Sequence, residues 1–353
     1  DDRAFASLVE SMAGQSGAGQ AGAGQEDDDA IPGRIAPLHL ALLRAAGRGL
    51  PEDAVDRATA LALAAIAGTA AFDLEQRAAA AERAVTLGAL PPEKLAETYG
   101  AFPFAPDELA RAISAGSSLD SPRGRALLYQ AARNQPLPAA RAEILSRALG
   151  EARSADVYPS SVAVLAPLLS ELPVGSELLW FSEDAARAFY AVGSYERAGA
   201  WHALLRQAAA SDTTAADAER RLWPIARLAG NAGEDDFADW YARLSGDRPA
   251  EPTLVLLAAL SGLGEAALPL ADYAGREASA PPLDPMAVLA LGAAVEGQRR
   301  GEALLLGLIA LGPEAPAGSH PLALATVLAA LTRLDLDQSA RALAIEAALA
   351  AGW

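Results

Sequence analysis

Residues 184–210 read DAARAFYAVGSYERAGAWHALLRQAAA. Apolar side chains recur at helical spacing on both sides of Gly193, so the stretch is predicted to be two helices joined by a tight turn. The same pattern continues outward from it. From Arg34 onward, apolar residues keep a helical period and Gly, Pro, Ser and Asp interrupt them at short intervals. Leu38, Leu40, Leu42 and Leu43 run to Gly47. Pro51-Glu52-Asp53 then gives the following helix, Ala54 to Ile66, an acidic first turn that suits the helix dipole. Helix pairs are expected to start near Pro37, Phe72, Pro106, Ala139, Glu183, Thr214, Pro252, Asp284 and His320, at intervals of 31 to 44 residues. The longest interval covers Val157 to Phe181 and predicts an irregular insertion or a break between two subarrays. Ser161-Val-Ala-Val-Leu165 and Leu254-Val-Leu-Leu257 are short apolar runs near prolines, which fit buried helix turns as well as strands.

Composition points the same way. Alanine, leucine, arginine and glutamate dominate, and these are the side chains that lose least on entering a helix. A two-helix unit with an alanine-rich face cannot bury that face alone, while small side chains let neighbouring helices approach closely. The expected fold is all-α, a superhelical stack of antiparallel helix pairs over residues 34–353.

The 184–210 unit resembles a tetratricopeptide motif. Ala186 stands where a small residue packs in the first helix, Phe189 and Tyr190 are its aromatic positions, and Gly193 is at the turn. Tyr195 opens the second helix and Ala198 is its close-contact position. It departs from the family at His202, where an aromatic is usual, with Trp201 one place early and no proline near Ala210. Elsewhere the resemblance covers period and pairing, since most intervals lie near the ~34-residue unit of such arrays. Asp284 to Leu311, with the turn Gly297-Gln-Arg-Arg-Gly301, and His320 to Ala351, with the turn Leu334-Asp-Leu-Asp337, are similar hairpins with a degenerate consensus. The resemblance implies a TPR-like α-solenoid with a concave partner-binding surface and no intrinsic chemistry.

Residues 1–33 read differently. Gly14 to Gly24 is GQSGAGQAGAG, followed by Glu26-Asp27-Asp28-Asp29, a composition that cannot bury enough apolar surface to offset its ordering entropy. A flexible acidic tether is expected, preceded by the short amphipathic Phe5-Ala-Ser-Leu8-Val9. The net charge of −17 argues against a nucleic-acid partner, which needs a lysine and arginine footprint. Lys94 is the only lysine, and arginine in its place suggests a GC-rich bacterial coding bias. Absence of cysteine excludes disulfides and thiolate chemistry. Ala315 to Thr332 lacks charge but contains Pro316, Gly318 and Pro321, and Ala58 to Phe72 is too short to span, so direct membrane insertion is not expected. The tether and the start at Asp1 without methionine suggest a periplasmic or cell-envelope product.

Chemical motifs are sparse. Gly17-Ala-Gly19-Gln-Ala-Gly22 matches a dinucleotide pattern but follows no strand, and Gly262-Leu-Gly264-Glu-Ala-Ala267 reads as a turn between helices. His39, His202 and His320 are far apart and form no paired metal spacing. His39 and His320 fit helix starts. Glu234, Asp235 and Asp236 stand beside Phe237 and Trp240 as a sugar cleft would require, yet Gly233 ahead of them favours a helix N-terminus. Glu26 to Asp29 lacks the interleaved ligands of a calcium loop. No catalytic residue, cofactor or metal ligand is assigned.

The strongest remaining signal is aromatic. Trp180, Trp201, Trp223 and Trp240 gather with Phe181, Phe189, Tyr190, Tyr195, Phe237 and Tyr241 in about sixty residues. Phe189, Tyr190 and Tyr195 fall at packing positions of the resembled motif. Trp180, Trp201, His202, Trp223, Trp240 and Tyr241 are the candidate partner-binding residues. The expected function is a non-enzymatic scaffold or adaptor for a protein or peptide; the alternative is a cell-envelope glycan-acting enzyme using Glu234 or Asp236. Oligomeric state is left open.

Overall fold

The computed structural model describes residues 34–114, 119–232, 237–242, 250–265, 283–312, 315–316 and 318–353. The expected tether, 1–33, lies outside them. Among the described residues there are 18 α-helices, and the only strand-like pairing is an isolated bridge between Ile35 and Ala58. The chain divides into two compact units, 1–172 and 173–353.

The first unit contains α1 (Pro37–Ala45), α2 (Ala54–Arg57), α3 (Ala60–Gly68), α4 (Leu74–Thr86), α5 (Pro92–Gly100), α6 (Pro106–Ala110), α7 (Pro122–Asn134), α8 (Pro138–Ser154) and α9 (Tyr158–Leu169). A 3-10 turn at Ser176–Phe181 opens the second. It is followed by α10 (Ser182–Ala191), α11 (Tyr195–Ala209), α12 (Thr213–Ala229), α13 (Phe237–Ala242), α14 (Ala250–Gly262), α15 (Pro285–Glu296), α16 (Arg300–Leu311), α17 (Pro321–Arg333) and α18 (Asp337–Ala350).

Local chemistry explains where the helices begin. Seven of them have proline at the first position, where its fixed φ suits the helix and its missing N–H costs nothing. Others are capped by side chains: Asp73 accepts from the Glu75 amide at 2.8 Å, Asp212 from Thr214 at 2.8 Å, and Asp284 from Met286 at 3.0 Å. His320 does the same through Nδ1, which accepts from Leu322 at 3.1 Å, and His39 Nδ1 accepts from the Ala36 amide at 2.9 Å. All nine expected pair starts fall within two residues of an observed helix start. One expected helix is divided. Ala54 to Ile66 breaks at Ala58 because Ile35 takes its place in the backbone pairing, donating to Arg57 O at 2.9 Å and accepting from Thr59 N at 2.8 Å. Thr59 then caps the next helix through its side chain. The irregular stretch 157–181 contains a full helix, α9, that tolerates Pro167 in its interior.

In the first unit, consecutive helices α3, α4 and α5 pack on one another, as do α7, α8 and α9, and α9 also lies against α4, α5 and α7. At the centre of these contacts sits a charged cluster. Arg125 of α7 makes a bidentate pair with Glu82 of α4, Nε to Oε1 at 2.8 Å and Nη2 to Oε2 at 2.6 Å. Tyr99 of α5 donates its hydroxyl to Glu82 Oε1 at 2.6 Å, and Arg125 also donates to Asp120 O. Gln130 donates to the carbonyls of Tyr99 and Phe102 at 2.8 and 2.9 Å, closing the end of α5. All four side chains are buried. Burial, and then the charge of Glu82, pushes the Tyr99 hydroxyl well above the usual tyrosine value, so it stays a donor.

In the second unit, α10, α11 and α12 pack in succession, α14 and α15 both lie on α17, and α18 lies against α10, α12, α14 and α17. Contacts between helices so distant in sequence go beyond the nearest-neighbour packing that a linear repeat array requires. Side chains fasten them: Arg341 of α18 donates to Leu228 O at 2.9 Å, and Arg187 of α10 donates to Trp353 O. Gly193, at φ +71°, makes the turn between α10 and α11, whose facing residues Ala186, Phe189, Tyr190 and Ala198 are all buried.

Candidate functional site

The aromatic gathering resolves into two groups. In the first, Phe181 meets Trp201 edge to face at 6.2 Å and Trp180 at 5.6 Å. In the second, Trp223 of α12 stacks on Trp240 of α13 at 4.9 Å with their planes 15° apart, and Phe237 lies 6.2 and 5.8 Å from them. Tyr241 stacks on Phe237 at 5.5 Å, and Trp353, beyond α18, closes on Trp240 at 5.5 Å. The indole of Trp240 donates to Arg220 O at 3.0 Å and that of Trp353 to Pro252 O at 2.6 Å. Trp223 is held by these ring contacts, its buried Nε1 having no hydrogen-bond partner among the described residues.

Most of the expected partner-binding side chains are buried. His202 is 0% exposed, Trp201 and Trp223 1% and Trp240 4%; Tyr241 is half-buried, and only Trp180, at 54%, offers a ring to solvent. Trp201 lies three residues after buried Ala198 and four before buried Leu205, on the inner stripe of α11. Trp223 shares the inner face of α12 with Leu222, Ile225 and Ala226. Trp240 takes its cover from Trp353, 113 positions along the chain and beyond α18. His202 completes the core, its Nδ1 3.5 Å from the Tyr190 hydroxyl and its Nε2 3.4 Å from Glu219. Burial raises the Tyr190 hydroxyl to about 12.

The other sequence candidates lie in separate places or outside the described residues. Glu234, Asp235 and Asp236 lie outside the described residues, as does the Gly17–Gly22 pattern. Among the described residues, no three His, Asp or Glu side chains come together as metal ligands would. Gly262 ends helix α14, not a strand. A Cβ built there would stand 2.7 Å from both Ala325 O and Leu328 Cβ, so this glycine serves the close approach of α14 to α17. Glu183 is a half-buried carboxylate with two arginine partners. Burial would raise it, but hydrogen bonds from Arg221 and the charges of Arg187 and Arg221 outweigh burial and hold it below the usual range. Glu183 accepts from Arg187 on its own helix and from Arg221 of α12, so it ties α10 to α12.

In the first unit a cavity of about 400 Å³ is lined by Leu109, Ile113, Ala131, Gln135 and Ile144. Two further surface features lie in the second unit. The first is a groove of about 280 Å³ over α17. Ser261 and Gly262 of α14 form one wall, Gly292 of α15 the other, and Ala325 and Ala329 the floor. Arg333 stands at its rim, exposed and without an ion-pair or hydrogen-bond partner among the described residues. The second is an apolar outer surface. Of the 14 large hydrophobic side chains exposed among the described residues, seven fall between Met286 and Leu322: Met286, Leu289, Leu304, Leu305, Leu308, Ile309 and Leu322. A sequence signal for it exists. Helix α16 reads RGEALLLGLIAL and carries no charge after Glu302, so an all-round apolar helix must either be buried or docked. No protein-family model, curated protein or solved structure matches the chain.

Proposed function

We propose that the protein is a non-enzymatic adaptor, built from tetratricopeptide-like helix pairs, that holds a short peptide segment of a partner protein in the groove over α17. The observation that carries this reading is Arg333. Acids outnumber basic residues 45 to 28 in this chain, and most described arginines meet a carboxylate, a backbone carbonyl or an aromatic ring, yet Arg333 at the groove rim meets none among the described residues. A guanidinium in that position is suited to a carboxylate from outside. The groove floor of glycine and alanine lets a backbone approach closely, and its volume suits one or two small apolar side chains. The fitting ligand is an acidic-apolar segment of a protein.

A photo-crosslinking residue at Ser261 or Thr326, on the groove wall, tests this in cells of the native organism. One partner band is expected, captured through the groove and lost on Arg333→Glu or on filling the floor with Ala329→Leu. Arg333→Glu should weaken the purified complex at least ~10-fold. Capture that survives both changes sinks the assignment.

A further inference from the structure

The groove leaves unexplained the apolar surface on the outer sides of α15 and α16. On α16, Ala303, Gly307, Ala310 and Leu311 face inward, and the position of Gly307 lies against Val327 of α17. Leu304, Leu305, Leu308 and Ile309 are spaced i, i+1, i+4 and i+5, which places them together on one arc of the opposite side. On α15, Met286, Leu289 and Ala293 form a second exposed arc, on a different side from Leu291 and Val295, which turn toward the groove. The two helices pack along each other, and no charged residue falls between Met286 and Val295 or between Ala303 and Leu311.

We infer that this face binds a second copy of the chain, pairing α15 and α16 with their two-fold equivalents. Size supports it. The six exposed apolar side chains of α15 and α16 present on the order of 600 Å², at the top of the ~300–600 Å² range of the largest patch on a typical monomer and approaching the ~800 Å² each partner gives to a standard interface. Charge supports it as well. Two copies at −17 each repel at most orientations, and a face with no ionised group is where they meet with least opposition. An uncharged apolar arc is also its own complement, as a two-fold interface demands. At Gly301, exposed near the start of α16, a Cβ would meet nothing within 4 Å, which leaves room for close helix approach.

The absence of cysteine makes the test direct. Sedimentation of the full chain across the micromolar range should give a dimer, and Leu308→Glu should give a monomer with an unchanged circular dichroism spectrum and melting temperature, because the side chain is exposed in the single chain. By two-fold symmetry that change places two charges in the interface and should weaken dimerisation at least ~100-fold. With Leu305→Cys, mild oxidation should produce a covalent dimer, while Leu61→Cys and Leu137→Cys, exposed in the other unit, should not. A wild-type monomer throughout that range overturns the inference, as does a dimer indifferent to Leu308→Glu. A monomer that floats with phosphatidylcholine vesicles through Leu308 also overturns it, giving the face to a lipid surface. Arg333→Glu should leave the dimer intact, so failure here and failure of the groove reading are separable.

Discussion

The two units solve one problem with opposite chemistry. Both must fix a unique arrangement of helices whose contact faces are largely alanine and leucine, side chains that pack in many ways and specify few. The first unit places a bidentate ion pair and a tyrosine hydroxyl at the junction of α4, α5 and α7. The second places four stacked or tilted aromatic rings between α12, α13 and the residue beyond α18. A buried ion pair is worth little net stability but is costly to break, and it accepts few alternative geometries. An aromatic cluster contributes burial directly and tolerates adjustment. The difference teaches that an alanine-rich helical fold needs a few large or polar side chains to select one packing, and either class will do.

All five tryptophans belong to the second unit, so their fluorescence follows that unit while circular dichroism follows both. The largest effect is expected from Glu82→Ala, which leaves Arg125 buried without its partner and should cost the first unit about 3–5 kcal/mol. In urea, ellipticity should then fall in an early phase while the fluorescence midpoint stays put; a common shift of both signals would break the comparison. Replacing the pair together, Glu82→Leu with Arg125→Met, should recover most of the loss. Next comes Trp223→Leu. Loss of the stack on Trp240 and a residual cavity are partly offset by removing an unpaired indole N–H, for a net cost of roughly 2 kcal/mol confined to the fluorescence transition. An effect on the early ellipticity phase instead would refute the assignment of this ring to the second unit's core.

The smallest effect is alkaline. Tyr99 and Tyr190 both have hydroxyls raised above the ordinary value of 10, the first by burial and the nearby Glu82, the second, to about 12, by burial. Each folded form therefore holds its proton more tightly than the unfolded chain. The associated stability is complete below pH 10 and is lost as pH rises from there through the folded values. Tyr99→Phe should flatten that loss in the first unit and leave it in the second, as read by melting at stepped pH; an unchanged slope would remove Tyr99 from the account.

Helix positions were legible in the sequence because their determinants are local. Proline at the first turn, Asp73, Asp212 and Asp284 as caps, and Gly193 at φ +71° act within four residues of where they stand. What escaped depends on residues far apart. Glu82 and Arg125 are 43 positions from each other, and Trp240 is covered by a ring at Trp353. Without such cover Trp240 reads as surface, and so do Trp201 and Trp223 without the rings of Phe181 and Trp240 that pack on them. The division of Ala54–Ile66 had the same origin, since Ile35 pairs with Arg57 and Thr59 across some twenty residues. The outer face of α16 was visible in LLLGLIAL, but an uninterrupted apolar run alone does not separate burial from docking.

The return of α18 and Trp353 onto α10, α12 and α14 also orders events during synthesis. Once Leu169 has emerged, α9 is available to cover α4, α5 and α7, and the first unit has its parts. The second waits. At ~5–20 residues per second, translation from Leu169 to Trp353 takes on the order of 10–40 s, during which Phe237 and Trp240 lack the ring that later closes on Trp240. The newborn chain thus carries a finished half and an adhesive half, and the adhesive one is where a chaperone has time to act.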